Sequence, residues 1–426
     1  MKKLAGSSLL LVTLALSFPE GLVWLAAGSA LWVLPPLLYL GLLAALSWRQ
    51  APARRAADSQ RFVVVVPAHN ESTQIAQTVD SLLAVDYPKE RFEVWVVADN
   101  CSDDTAQVAR AAGASVLERR HDTEKGKGYA LNFAFERAMA HGQLDAVVVV
   151  DADTVVNRGL LRAFAARLVD GELAIQAEYG VRNPFASWRT RLMAVALGMF
   201  HRVRGIARER LGLSAGLRGN GMCFSLACLQ RFPHQAFGLV EDVEYGIALG
   251  LGGVRVAYAD DAQVLGEMVS SGKESESQRD RWEDGRELLK RQKVPMLLRA
   301  ALARRSALLL DLAFDLAIAP LGKLALRLVA WTALVAACAW SALSPAPGAT
   351  AWSLVRPLAY GLALGWGSLS LYVVRGMALS NLGFAAVTAM LGAPGYLAWK
   401  VLLSLRPKRG EQAWVRTARE GQNKRP

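Results

Sequence analysis

The 426-residue chain holds only four cysteines, Cys101, Cys223, Cys228 and Cys338, with no CxxC pair and no histidine at zinc spacing. The signature of a zinc site is therefore missing, and reduced, structural cysteines in a cytoplasmic setting are expected. Neither a Walker motif nor GxGxxG occurs, so two common glycine-rich phosphate cradles are absent. Asp151-Ala152-Asp153 leads to Val155 and Val156 where a calcium loop needs a third acid and a turn glycine, which excludes that reading. No small-residue cleavage site precedes the second apolar run. The N-terminus thus reads as a retained hairpin turned at Pro19-Glu20, not as a signal peptide.

Apolar residues are abundant instead. They make up 53% of the chain, with mean hydropathy +0.22, and the excess lies at the two ends. A short run, 9–18, follows Lys2 and Lys3, and 21–47 is uncharged and long enough for a bilayer, which needs about 20 apolar residues. Toward the other end, 328–343 and 357–374 each read as a span, the first lengthened by a snorkelling Arg327. The run 377–405 is broken by Gly392, Pro394 and Gly395 and carries Lys400; spanning, re-entrant and interfacial arrangements all fit it. Residues 307–320 carry Asp311 and Asp315 one helical turn apart and read as interfacial. Arg49, Arg54 and Arg55 follow the N-terminal run, and Arg406, Lys408, Arg409, Arg416 and Arg419 follow the last one. By the positive-inside rule the central domain of a multi-pass protein of the cell (inner) membrane would face the cytoplasm. The formal charge of +12 suits a surface pressed against anionic membrane lipid, and the transmembrane ends argue against nucleic acid as the partner.

Between these ends, strand and helix signals alternate. Val147 to Val150 are four β-branched residues that read as a strand buried on both faces. Asp151 and Asp153 follow at its carboxyl end, where open α/β sheets bind ligands. If the segment stays extended both acids point to one side, a seat for a hard divalent cation on phosphate oxygens; solvated turn acids are the plainer alternative. An earlier strand over 61–67 ends at Pro67 and leads through Ala68-His69-Asn70-Glu71-Ser72 to a helix over 74–83. A second strand, 92–97, precedes Asp99 and a helix reaching Ala112, with Ser102 as its cap and Asp103 and Asp104 complementing its dipole. Asp99 has no such explanation. Gly126-Lys127-Gly128 opens another helix and suits an anion, or is a flexible basic loop. Successive strand–loop–helix units would set these polar loops along one sheet edge, which reads as a nucleotide site. Further on, a strand ends at 176–179. The basic helix 187–211 lies on a membrane, near an anionic acceptor, or in solvent, and a glycine-rich loop covers 216–224. Glu241, Asp242 and Glu244 start a helix, as dipole complements or with one of them as a general base.

Taken in order, Pro67-Ala68-His69-Asn70-Glu71, Asp99-Asn100-Cys101-Ser102-Asp103-Asp104-Thr105, Gly126-Lys127-Gly128-Tyr129-Ala130-Leu131-Asn132, Asp151-Ala152-Asp153, Glu241-Asp242 and Gln278-x-x-Arg281-Trp282 resemble a membrane-bound family 2 inverting glycosyltransferase. The chain is similar to cellulose, hyaluronan and poly-N-acetylglucosamine synthases, and 213–224 and 239–246 resemble methanolan-type exopolysaccharide enzymes. The resemblance covers 61–295, and Trp414-Val415-Arg416-Thr417 is similar to the Trp-x-x-Thr ending of some synthases. It implies an α/β fold of the GT-A type, a Rossmann-like, mostly parallel sheet flanked by transmembrane and interfacial helices. The implied organisation is one or more transmembrane segments at 1–50, a linker at 51–60, the glycosyltransferase domain at 61–300, interfacial and transmembrane helices at 301–405, and a basic cytoplasmic tail at 406–426.

The same resemblance implies roles. Asp99 would hydrogen-bond the uracil of a UDP-sugar, Pro67, Ala68 and Glu71 would line the nucleotide, and Lys127 would sit near it. Asp153 would ligate Mg2+ or Mn2+ bridging the diphosphate, with Asp151 close to the ribose or sugar. Asp242 would be the catalytic base, and Gln278, Arg281 and Trp282 would hold the diphosphate and the acceptor sugar. Two departures stand out: Ala98 replaces an Asp common in relatives, and 219–224 lacks the Phe-Phe-Cys-Gly-Ser wording of cellulose synthases. The expected activity is hexosyl transfer from a nucleotide sugar to a growing polysaccharide or lipid-linked glycan in exopolysaccharide biosynthesis, with export or polymerisation partners. The alternatives are single addition to a polyprenyl-linked acceptor and an inactive nucleotide-binding assembly subunit.

Overall fold

The computed structural model describes residues 19–48, 57–268, 272–342 and 349–395. The run 9–18, most of the linker, Lys400, the basic tail and its Trp414–Thr417 stretch lie outside the described residues, and with them the hairpin and orientation readings. Helix α1 (Pro19–Leu46) is followed by β1 (Phe62–Ala68), α2 (Ile75–Leu83), β2 (Phe92–Asp99), α3 (Thr105–Ala111), β3 (Ser115–Arg119) and α4 (Lys127–His141). Next come β4 (Ala146–Val149), β5 (Thr154–Val156), α5 (Leu160–Val169), β6 (Ala174–Val181), α6 (Trp188–Leu197) and α7 (Arg204–Arg210), the last two joined by a π-helical turn over Gly198–Val203. The rest comprises β7 (Met222–Ser225), α8 (Leu226–Arg231), α9 (Glu241–Leu251), β8 (Val256–Gly266) and helices α10 (Gly272–Arg304), α11 (Ala307–Ala317), α12 (Leu321–Ala342), α13 (Ala349–Leu379) and α14 (Ala385–Leu391). The chain divides into two compact units, Met1–Trp48 with Ile318–Arg375, and Arg49–Ala317 with Gly376–Pro426.

The larger unit is built on one eight-stranded sheet in the order β3-β2-β1-β4-β7-β6-β8-β5. Strands β3, β2, β1 and β4 run parallel, β7 runs antiparallel to both its neighbours, β6 and β8 are parallel, and β5 closes the edge antiparallel to β8. The α/β class expected from the sequence is what forms, with more parallel than antiparallel pairings. The valine runs explain it. Val64, Val66, Val148 and Val150 pack on one face with Ile75, Val79 and Phe164, while Val63, Val65, Val147 and Val149 pack on the other with Leu131, Ala134 and Phe135. A strand covered by helices on both faces needs apolar side chains at every position, not at alternate ones. Register then places the loops. Ala68 pairs with Ala98 and Val65 with Val149, so the segments after β1, β2 and β4 leave the sheet at one edge.

Two sequence readings change in this unit. Ser102 does not cap α3; its backbone N–H donates to Asn70 Oδ1 at 2.7 Å, and Asp103 Oδ1 accepts from Thr105 N at 3.1 Å instead. The basic stretch 187–211 is not a solvated face at Arg204 and Arg208, which are 5% and 1% exposed. Arg204 Nη1 and Arg208 Nη2 lie 2.7 and 2.8 Å from Asp315 Oδ1, and Arg208 Nε lies 3.0 Å from Asp311 Oδ2. The acids that suggested an interfacial helix are thus buried partners of α7, each charge offsetting the desolvation of the other.

Among the described residues three helices are long and apolar enough to cross a membrane, Gly21–Leu46 and Leu321–Ser341 in the smaller unit and Val355–Leu379, which lies in it as far as Arg375. Pro19 begins α1, where a missing N–H costs nothing. Helix α12 starts at Leu321 and is longer than the 328–343 run, and α13 passes through Pro357 instead of starting there. Trp331 Nε1 donates to the Ala26 carbonyl at 2.9 Å, and a Cβ on Gly41 would stand 2.7 Å from Ser368 Cβ. Small residues let apolar helices approach this closely. Within the described part of the last apolar run, 377–395, the apolar helix Ala385–Gly395 is shorter than a span.

Candidate active site

The edge where β1, β2 and β4 end gathers the polar loops. Pro67 and Ala68 are the last residues of β1, and Asn70 beyond them is left-handed (φ 58°). Glu71 N–H donates to Thr105 Oγ1 at 2.8 Å and Ser72 N–H to Asp103 Oδ2 at 3.2 Å, tying the β1 loop to the start of α3. Burial works to raise the Asp103 carboxyl, but its bonds to Thr105 and Ser72 outweigh that and hold it low. Asp99 ends β2 and is 5% exposed. It accepts from Arg119 Nη1 at 2.8 Å, and Arg119, itself buried, also donates to the Glu124 carbonyl at 2.7 Å. Sequence reasoning missed Arg119, which reads as one more strand-end charge until β3 brings it beside β2. A carboxylate has about four lone-pair sites, so this pairing leaves Asp99 capacity for a donor N–H.

A second group assembles where α4 begins. Gly126 precedes it with φ 117°, and Lys127 at the first helical position reaches across to β4. Its Nζ donates to Asp151 Oδ1 and, at 2.6 Å, to the Gly219 carbonyl. A Cβ on Gly219, whose φ is +79°, would stand 3.5 Å from Asp242 Oδ2 and 3.6 Å from Lys127 Nζ. The loop therefore runs between cation and acid, in a left-handed backbone conformation that favours glycine. Asn220, fully buried, accepts from Asp151 N–H at 3.1 Å and donates to Thr154 Oγ1 at 2.8 Å. Gln176 holds the same loop from β6, donating to the Asn220 carbonyl at 2.7 Å and accepting from Arg218 N–H at 2.8 Å. Residues 151–153 form a turn, not the extended segment considered from sequence, with Thr154 N–H on the Asp151 carbonyl at 3.2 Å.

The electrostatics are set by this packing. Burial pulls the Lys127 ammonium down, but Asp151, Glu241 and Asp242 outweigh it and hold the group above its ordinary value. Burial pushes Glu241 up to about 7, with Lys127 opposing and Asp242 adding to the rise. Asp242 is raised as well, chiefly by burial, against its own backbone hydrogen bonds and the charges of Lys127 and Arg218. Glu241 and Asp242 are adjacent at the start of α9, and the charge of Asp242 adds to the rise of Glu241. Such pairs of carboxylates beside a cation are where proton-transfer groups are found.

The structure thus brings Lys127, Asp151 and Asp242 together, with Asp153 two residues from Asp151 and half-buried. Pro67, Ala68, Glu71 and Asp99 form the neighbouring β1–β2 group. Gln278, Arg281 and Trp282 fall on α10, and their side chains lie outside the described residues. Among the described residues no group of three or more His, Cys, Asp or Glu side chains is disposed to hold a metal. The donor set that is present suits a shared ion. Mg2+ binds through one or two carboxylates and fills its remaining positions with substrate phosphate and water, and Asp151 and Asp153 offer such oxygens.

A mixed sheet whose parallel strands carry charged loops along their carboxyl edge, with an acid pair at a turn and a second acid pair across a glycine loop, is the arrangement in which open α/β sheets bind ligands. The family model described as "Glycosyltransferase like family 2" matches residues 59–285, and the chain belongs to that family. Its sheet is accordingly of the GT-A type. The chain is 27% identical over 280 residues to the "Beta-monoglucosyldiacylglycerol synthase" of Synechocystis sp., covering 62% of this chain and 57% of that protein. It is 26% identical over 231 residues to the "Probable glycosyltransferase YdaM" of Bacillus subtilis, covering 52% and 54%. This chain therefore spans little more than half the length of these curated relatives. Among solved structures, a mannosyltransferase from Pyrobaculum calidifontis in complex with GDP-Man and Mn2+ is 20% identical with a TM-score of 0.49, covering 86% of this chain and 99% of that one.

Proposed function

We propose that the chain moves a hexosyl unit from a UDP-sugar to a growing polysaccharide or lipid-linked glycan, with inversion, at the cytoplasmic face of the cell membrane in exopolysaccharide biosynthesis. The observation that carries the reading is the convergence of Lys127, Asp151 and Asp242 on Gly219, beside the Asp151-Ala152-Asp153 turn. Inversion in one displacement needs a carboxylate to take the acceptor hydroxyl's proton as its oxygen attacks the anomeric carbon. Asp242 does this; burial raises its pKa and so makes it a better proton acceptor than an exposed aspartate. No carboxylate nucleophile is required.

As UDP departs, negative charge grows on the diphosphate. Asp153, with Asp151 near the ribose or sugar, would hold Mg2+ or Mn2+, which when bound supplies charge neutralisation there. Lys127 keeps its proton and adds a fixed positive charge. Pro67, Ala68, Glu71 and Asp99 line the nucleotide, with Arg119 orienting the Asp99 carboxylate toward the base. Gln278, Arg281 and Trp282 on α10 serve the diphosphate and the acceptor sugar. In this scheme 61–300 is the catalytic domain and the flanking segments anchor it. A lipid-borne acceptor is favoured by three helices long enough to span a bilayer and by the glycolipid-synthase name of the Synechocystis relative.

The test is UDP release by the full chain in nanodiscs with a panel of UDP-sugars, with and without Mg2+ or Mn2+. Asp242→Asn should abolish release while retaining UDP binding, and NMR of the product should give the opposite anomer to the donor. Full activity in that variant, or retention of configuration, would sink the scheme.

A further inference from the structure

Beyond the acids at the sheet edge, the larger unit contains a second charged assembly that the transferase scheme does not use. Phe200 sits in the π-helical turn Gly198–Val203, and single π turns concentrate at functional sites. Three guanidinium groups from three different segments approach its ring. Their carbons lie 4.6 Å (Arg204, α7), 4.5 Å (Arg218, the loop before β7) and 5.3 Å (Arg286, α10) from the ring centroid. Arg208 stands beside them, and three of the four arginines, Arg204, Arg208 and Arg286, share the acids Asp311 and Asp315. Arg286 Nη2 also donates to the Asp315 carbonyl at 2.7 Å. Among the described residues Arg218 forms no ion pair with a carboxylate; its Nη2 donates to the Ala215 carbonyl at 3.0 Å. The neighbourhood is strongly positive. Burial, with Arg208, Arg286 and Arg204 and against the pull of Asp315, brings Arg218 down to about 10.

Resting on the transferase reading above, we propose that Arg218 and Arg286, backed by Phe200 and Arg204, bind a phosphate group carried by the acceptor, on the Asp242 side of the site. Planar guanidinium forks match phosphate oxygens in pairs, and an aromatic ring holds them in place from behind. A phosphate dianion would give Arg218, which meets no carboxylate among the described residues, an anionic partner, with Arg286 beside it around the same ring. Position supports the acceptor over the donor. Arg218 precedes Gly219, whose Cβ position faces Asp242, the proposed base for the acceptor hydroxyl. Asp315, which accepts from three of the arginines, lies on α11, the helix directly before the apolar helix α12 in sequence. The same chemistry belongs to a lipid-borne phosphate and to a soluble phosphate ester, and the experiment separates them.

The full chain in detergent would be titrated calorimetrically with farnesyl phosphate, farnesol, inorganic phosphate and UDP. Farnesyl phosphate should bind and farnesol should bind at least about tenfold more weakly, the ratio expected when a charge-assisted pair is lost. Arg218→Gln and, from a separate element, Arg286→Gln should each weaken farnesyl phosphate by about tenfold while UDP affinity stays within about twofold, which also reports a folded site. Inorganic phosphate matching farnesyl phosphate would support a soluble ester as the source; much weaker phosphate binding would support a lipid. Equal binding of farnesol and farnesyl phosphate, or variants that weaken UDP as much as farnesyl phosphate, would overturn the proposal, the second outcome giving the arginines to the donor diphosphate. Absence of UDP binding in the wild type would strike the transferase reading itself, whereas loss of farnesyl phosphate binding with UDP intact strikes only this inference.

Discussion

Replacing Lys127 by glutamine would remove a cation that faces Asp151, Glu241 and Asp242 together, and its effect on proton transfer can be worked out from geometry. The Cβ position on Gly219 lies 3.5 Å from Asp242 Oδ2 and 3.6 Å from Lys127 Nζ, so the two charges are no more than about 7 Å apart. At an effective dielectric of about 20 their attraction is about 2 kcal/mol, or about 1.5 pKa units before solvent screening and about one after it. The sign is fixed. A nearby cation favours the charged carboxylate, so its loss raises the pKa of Asp242 further and lifts Glu241 above its value of about 7. The base works deprotonated, so the acid limb of the kcat/KM profile for UDP release should move up by about one pH unit. Each enzyme is measured across the limb and normalised to its own plateau, because Lys127→Gln also loses the bond to the Gly219 carbonyl and will turn over more slowly. Lys127→Arg should restore the limb. An unmoved limb, or one displaced downward, would refute the electrostatic coupling of Lys127 to the base.

Packing and burial give two further outcomes. Gly221→Ala places a Cβ 2.8 Å from Val264 Cγ2 and 2.9 Å from Ala177 Cβ at a φ of +69°, so it should cost about 1–3 kcal/mol in thermal unfolding. A neutral result would mean that the loop tolerates displacement. Burial holds His201 down at about 3 and His234 at about 4, from 6.5 for an ordinary histidine. Folded-state values depressed this way stabilise fully above pH 6.5 and lose that contribution as pH falls toward 4 and 3. At pH 5 the loss is about 2 kcal/mol per histidine. The unfolding midpoint should therefore drop between neutral pH and pH 5, and drop less in His201→Gln; equal slopes in both proteins would contradict the assignment.

What could be read from sequence was set by chain-local signals. The valine runs announce β1 and β4 because strands covered on both faces leave no polar positions, and the loops after them inherit their place from parallel register. Asp242, Lys127 and Asp151 were nameable through their motifs. Their partners were not, because those arrive through tertiary contacts at long range. Arg119 meets Asp99 only once β3 lies beside β2, and Gln176 and Asn220 look like any strand and loop amides until β6 and β7 pair. The arginines of α7 misled for the same reason. A charge run is normally a solvated face, and what buries Arg204 and Arg208 is a pair of acids more than one hundred residues away, on α11.

These long-range partners divide the site's labour in a way that kinetics can resolve. Asn220 grips the Asp151 amide and Thr154 while Gly219, next to it, separates Lys127 from Asp242, so one dipeptide sets the Asp151–Asp153 turn, the cation and the proposed base at once. Arg119 touches Glu124 and Asp99, the residue proposed to meet the nucleotide base. Asn220→Ala takes a donor from the Thr154 hydroxyl and an acceptor from the part-buried Asp151 N–H, at about 1 kcal/mol each. Because the turn positions charge that develops only during transfer, much of that cost should fall on kcat, by about tenfold or more. Arg119→Leu should instead raise KM for the UDP-sugar about tenfold with kcat little changed, since uracil is held equally before and during transfer. If both variants lowered kcat alike at constant KM, Arg119 would act on the reacting groups and its placement with the nucleotide base would be wrong.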